Sequence, residues 1–108
     1  MSEEFIPVVR TPDLGPGSVK EVEAHGRHVG VTNVGQTYYA FDAQCPLDGT
    51  NLARDGVLRG DSIVCPLDDV AFDVRTGVCS DPDIDEELQR YSIRVEENQV
   101  KVGPPLER

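Results

Sequence analysis

Apolar and polar positions alternate along most of the chain in short runs cut by Gly, Pro, Asn and Asp. Phe5–Arg10 is rich in β-formers, and Thr11–Ser18 (TPDLGPGS) reads as a turn or a single helical turn. Val19–Ala24 predicts a strand. His25-Gly26-Arg27 turns it into a second strand, His28–Asn33, where Val29 and Val31 share a face. Val34-Gly35-Gln36 turns again into Thr37–Asp42, which places Tyr39 and Phe41 on one face and Tyr38, Ala40 and Asp42 on the other. Alternation with period two at this spacing is the pattern of an antiparallel meander.

Further along, Asn51–Gly60 reads as a connection, and Asp61–Val64, Ala71–Val74, Tyr91–Val95 and Gln99–Val102 as strands, the last pair joined by a tight Glu96–Asn98 turn. Only Asp83–Gln89 (DIDEELQ) has helical character. The fold class expected is all-β, a small antiparallel sandwich or barrel. The length of 108 residues suits one domain with one core, spanning 1–108, and no internal linker interrupts it.

Composition narrows the class without naming an activity. No apolar run is long enough to cross a membrane and no basic-then-apolar signal segment opens the chain, so a cytoplasmic protein with no membrane partner is expected. Twenty acidic residues against 10 basic ones give a formal net charge of −10. Phosphate backbones repel such a surface, which disfavours nucleic acid, whereas a partner with a basic docking face is favoured. The same acidity also serves solubility alone.

Three cysteines are too few for a secreted disulfide framework, yet two of them open identical CPLD units at residues 45–48 and 65–68. The separation of 20 residues between Cys45 and Cys65 is too long for one metal knuckle but suits two loops at one end of a β structure. Pro46 and Pro66 each remove a backbone donor and fix φ directly after a cysteine, so each thiol begins a rigid loop. Gly49, Gly56, Gly60 and Gly77 supply the backbone freedom that tight loops use.

On these residues the chain resembles the Rieske-type [2Fe-2S] ferredoxins, the small soluble ferredoxin components of ring-hydroxylating oxygenases. PGSVKEVEAHGRHVGVTNVGQTYYAFDAQCP is similar to the family's opening meander, and CPLDGTNLARDGVLRGDSIVCPLDDVAFDVRTG to its two cluster loops. SDP at 80–82 stands where the family carries a proline loop over the cluster, and YSIRVEENQVKV is similar to its closing strands. The resemblance implies a Rieske fold with two cysteine-bearing loops at one end, electron transfer in place of catalysis, and an oxygenase or reductase as redox partner.

A Rieske centre takes Cys-x-His from the first loop and Cys-x-x-His from the second, with two thiolates on the inner iron and two imidazoles on the outer. Cys45 and Cys65 match, but the histidine positions hold Leu47 and Asp68. Leucine has no donor atom. A carboxylate adds negative charge where a neutral imidazole would stand, which lowers the potential and removes a pH-sensitive group. The expectation is therefore a retained scaffold with no cofactor, acting as an accessory or interaction module, similar to the small subunit of some assimilatory nitrite reductases.

Two alternatives stay open. One is an electron carrier with an atypical [2Fe-2S] or single-metal centre on Cys45 and Cys65, completed by Asp68. Cys79 and Asp48 are further candidates there, although Cys79 also suits a buried apolar site on a strand and Asp48 a turn before Gly49. A Cys2Asp2 set is conceivable for zinc or iron but is not the set structural zinc prefers. The other is a thiol switch in which Cys45 and Cys65 form a disulfide. His25 and His28 fall in a turn between strands, away from both cysteine loops, and read as surface residues. DPDIDEE at 81–87 spaces Asp81, Asp83 and Asp85 like a calcium loop, but Glu86 stands at the glycine position and Ser92 at the terminal glutamate. No phosphate loop, zinc-protease helix or Ser-His-Asp set is present, so an enzyme acting alone is not expected.

Overall fold

A computed structural model describes residues 4–106, so residues 1–3 and 107–108 of the expected 1–108 domain lie outside the described residues. In chain order the strands are β1 Ile6–Arg10, β2 Val19–Ala24, β3 Arg27–Val34 and β4 Thr37–Asp42. A short helix α1, Leu52–Asp55, precedes β5 Val57–Arg59, β6 Ser62–Val64, β7 Ala71–Asp73, β8 Arg90–Glu96 and β9 Gln99–Pro105. Six strands form one antiparallel sheet in the order β1-β9-β8-β4-β3-β2, and β5-β6-β7 form a second. The outer strands β1 and β2 come into contact, so the larger sheet nearly closes into a barrel. The all-β class is as the sequence predicts.

Alternation on β4 decides where the core lies. Tyr39 and Phe41 face one apolar cluster, with Leu52, Ile63, Phe72, Val74 and Leu88. Tyr38 and Ala40 face another inside the barrel, with Leu14, Val29, Val31, Tyr91 and Val102. Burying each large side chain of this kind contributes roughly 1.5–3 kcal/mol. Phe41 lies across Gly30, its register partner on β3, and a Cβ at Gly30 would fall 2.6 Å from the Phe41 ring. A glycine in mid-strand is what lets that ring reach the first cluster.

Two elements differ from the sequence reading. The expected Asn51–Gly60 connection contains α1 and β5. Four residues are too few for helical periodicity to register, and α1 is instead held by its ends: Asn51 Oδ1 accepts from Arg54 N at 2.9 Å. Glu21 on β2 then accepts from Asn51 Nδ2 at 2.7 Å and Arg54 Nη2 at 3.0 Å. Conversely, Asp83–Gln89 is not a helix. Its backbone is drawn into bonds with distant segments, Leu88 N donating to Gly77 O and Asp42 N to Gln89 O, both at 2.8 Å. Leu88 is buried in the process. A seven-residue acidic segment has too little helical stability of its own to compete.

Candidate metal centre

The two CPLD units fold into the same loop. In the first, between β4 and α1, Cys45 N donates to Thr50 O at 2.8 Å and Gly49 N to Cys45 O at 3.0 Å. Thr50 N donates to Asp48 Oδ1 at 2.9 Å. In the second, which joins β6 to β7, Cys65 N donates to Val70 O at 2.8 Å and Asp69 N to Cys65 O at 2.9 Å. Val70 N donates to Asp68 Oδ1 at 3.2 Å. The fifth residue of each loop has positive φ, 81° at Gly49 and 61° at Asp69. Proline after the cysteine, an aspartate that bonds its own backbone two residues on, and a left-handed fifth residue determine this turn locally.

Side by side, the loops bring their thiols into the first apolar cluster, where Cys45 and Cys65 are both buried. All three cysteines are free thiols, so no disulfide joins Cys45 to Cys65. Asp48, itself exposed, turns its second oxygen inward, and Cys65 Sγ donates to Asp48 Oδ2 at 3.3 Å. The donor atoms of Cys45, Asp48 and Cys65 all lie within 4.8 Å of one another. Burial pushes the Cys45 thiol up to about 11, with the neighbouring Asp48 charge adding to the shift. Hydrogen bonds from Thr50 hold the Asp48 carboxyl well below the usual carboxylate range, with smaller help from the Asp68 and Cys65 side chains.

Other candidates from the sequence are placed differently. Asp68 is exposed and bonds Val70 N, and it is not one of the three converging donors. Cys79 pairs through its backbone with Phe72 in an isolated bridge rather than a full strand, and its side chain packs in the same apolar cluster as the other thiols without joining the donor group. Leu47, at the first imidazole position, packs against that cluster, whereas Leu67 in the second loop is 72% exposed. His25 is in a turn with Nε2 3.3 Å from Val102 O. His28 is not in the turn but on β3, with Nδ1 3.4 Å from Glu21 Oε2. Neither histidine is part of the converging group. In the acidic segment, Asp83 N donates to Asp81 Oδ1 at 2.9 Å within an exposed turn.

The contact from Asp48 to Cys65 was not legible in the sequence, because it joins residues of different loops. The one signal that points to it is the repeated CPLD itself, since two copies of one turn side by side bring an aspartate of the first loop to the thiol of the second.

Comparison with known proteins agrees with this architecture. Residues 4–103 match the Rieske-like [2Fe-2S] domain family. The chain is 32% identical over 98 residues to the biphenyl dioxygenase ferredoxin subunit of Pseudomonas sp. (strain KKS102), covering 91% of this chain and 90% of that protein. It is 36% identical over 78 residues to the cholesterol 7-desaturase nvd of Hemicentrotus pulcherrimus, covering 71% of this chain but only 17% of that larger protein. Among solved structures, a complex of reduced oxygenase and oxidized ferredoxin in carbazole 1,9a-dioxygenase contains a chain that superimposes with a TM-score of 0.87 at 29% identity, covering 98% of this chain and 100% of that one.

Proposed function

Because the chain belongs to the Rieske-like [2Fe-2S] domain family, we propose that it is a ferredoxin-type accessory component of an oxygenase or reductase system, using the fold for protein contact without a Rieske cluster. The ferredoxin relatives are electron carriers rather than catalysts, and one solved structure pairs such a ferredoxin with its oxygenase. A redox protein is accordingly the partner, met through an acidic surface that a net charge of −10 supplies.

The observation that carries the cluster-free part is Leu47. At the position of the first imidazole the chain places a hydrocarbon side chain and packs it onto the core. A bound Rieske-type [2Fe-2S] group would supply one-electron transfer, and its outer iron would be held by two imidazole nitrogens. Leu47 offers none, Asp68 offers a carboxylate, and both histidines are engaged elsewhere. The residues present do not fit that group.

Iron and acid-labile sulfide analysis, with a visible spectrum, on protein purified without oxygen tests the reading. A colourless protein lacking sulfide is the expected result. Two irons and two sulfides per chain would replace it with an electron carrier ligated through Cys45 and Cys65.

A further inference from the structure

We infer that Cys45, Cys65 and Asp48 form a mononuclear site for a thiophilic divalent cation, zinc or iron(II), with a fourth position open to water or to Asp68. The inference rests on the cluster-free reading above, since the two thiols cannot serve both centres.

Convergence of the donors favours one ion over a two-metal cluster. In a binuclear centre, donors to the second metal are separated from the thiolates by that metal and its bridging atoms. Here the carboxylate does not stand apart: Asp48 Oδ2 is 3.3 Å from Cys65 Sγ, and all three donor atoms lie within 4.8 Å of one another. With metal–sulfur bonds near 2.3 Å and metal–oxygen bonds near 2.0–2.2 Å, a tetrahedral ion sets its donors about 3.5–3.8 Å apart. The Cys65 Sγ–Asp48 Oδ2 edge, at 3.3 Å, is close to that already.

The donor chemistry points the same way. Two thiolates select soft or borderline cations over magnesium or calcium, and one carboxylate keeps the site open to water. Among the described residues no lysine or arginine forms an ion pair with Asp48 or Asp68. A divalent ion binding with loss of the two thiol protons would give two thiolates and a carboxylate a net charge of −1 with the metal included. A surface cleft lined by Arg27, Asp42, Gln44, Pro46, Glu87 and Gln89 borders Cys45.

The loops provide the rigidity such a site needs. Each thiol begins a turn closed by its own hydrogen bonds, and the first turn is tied through Asn51 and Arg54 to Glu21 on β2. The donors therefore meet without a search through loop conformations. This differs from metal sites whose ligands are ordered only by the ion.

Cobalt(II) titration of the full chain tests the inference, after chelator treatment and reduction under nitrogen. One Co2+ per chain is expected, with thiolate-to-cobalt charge-transfer absorption and the intense visible bands of tetrahedral cobalt, both lost on adding Zn2+. Asp48→Asn should weaken the apparent affinity by about tenfold or more. Asp48 is exposed, so the variant should fold, which circular dichroism checks independently of the buried Cys45→Ser and Cys65→Ser variants. Asp83→Asn, in the acidic turn, should leave binding unchanged. Absence of thiolate–cobalt absorption, or an affinity that Asp48→Asn does not alter, would overturn the site. Iron with acid-labile sulfide in the untreated protein would instead remove the cluster-free reading, whereas a sulfide-free protein that takes up no Co2+ removes the mononuclear site alone.

Discussion

Residues 45–50 and 65–70 close with matching hydrogen bonds, donated by the cysteine amide, the fifth residue's amide and, to the aspartate side chain, the sixth residue's amide, and both hold their fifth residue at positive φ. Their third residues, both leucine, then part company. Leu47 packs onto the apolar cluster, and Leu67 stands 72% exposed. The cause lies in what each loop leans against. The first runs into α1, which Glu21 ties to β2, so its tip is pressed onto the core. The second is a hairpin loop between β6 and β7, and its tip faces outward. Local sequence sets the backbone of a cluster loop, while its surroundings decide what its side chains can do. Two loops can thus share a backbone shape and still differ in what their side chains reach.

The strongest way to break this comparison is to place imidazoles at the two Rieske ligand positions. If the proposed cluster-free reading holds and the loops differ from Rieske loops only in their ligands, Leu47→His combined with Asp68→His should give a protein that holds two irons and two sulfides on reconstitution, an all-or-none change read by metal analysis and visible absorption. Each single substitution should fail to do so, because the outer iron needs both nitrogens. A double variant that folds but takes up no cluster would mean that the loop backbones have also drifted from a cluster-binding geometry.

How much of this was legible in the sequence follows from how local each feature is. Period-two alternation reveals the strands other than the three-residue β5, including the two-sided burial of β4, because each strand's partition between faces is written in its own residues. The repeated CPLD reveals the paired loops for the same reason. The helix α1 is invisible to periodicity, since its stability comes from Asn51 at its start and from Glu21, 30 residues before that cap. Asp83–Gln89 misleads in the opposite sense: its composition suits a helix, but bonds to Gly77 and Asp42 claim its backbone. Likewise, Asp48 stands beside Cys65 only through tertiary packing, so the sequence favoured Asp68, the residue at the ligand position, over the residue whose carboxylate converges on the thiols.

Truncating the two leucines sharpens the contrast at smaller amplitude. Leu47→Ala removes apolar contacts from the edge of the core and should destabilise the fold by about 1–2 kcal/mol, less than a fully buried leucine would cost. Leu67→Ala should stay within about 0.5 kcal/mol, as exposed substitutions generally do. Urea denaturation of the two variants, with unchanged m-values, measures the difference. Equal losses would show that Leu67 is covered in solution, by a partner or by a second copy of the chain.

The fifth residues offer the finest test, because there the two loops share a conformation but not a residue type. Gly49 at φ 81° has no Cβ, and one added there would meet only Gln44 Nε2 at 3.4 Å, so space is not what restricts it. The cost of Gly49→Ala is instead the left-handed backbone, about 1 kcal/mol. Asp69 already carries a side chain at φ 61°, as aspartate tolerates better than most residues. Replacing it with glycine relieves that strain but loosens the unfolded chain, and the two effects oppose each other. Asp69→Gly should therefore change stability by less than about 0.5 kcal/mol, in the same urea measurement that shows the loss in Gly49→Ala. A free Gly49→Ala substitution would mean that the first loop does not hold its left-handed turn in solution, and the backbone identity of the two loops would fall with it.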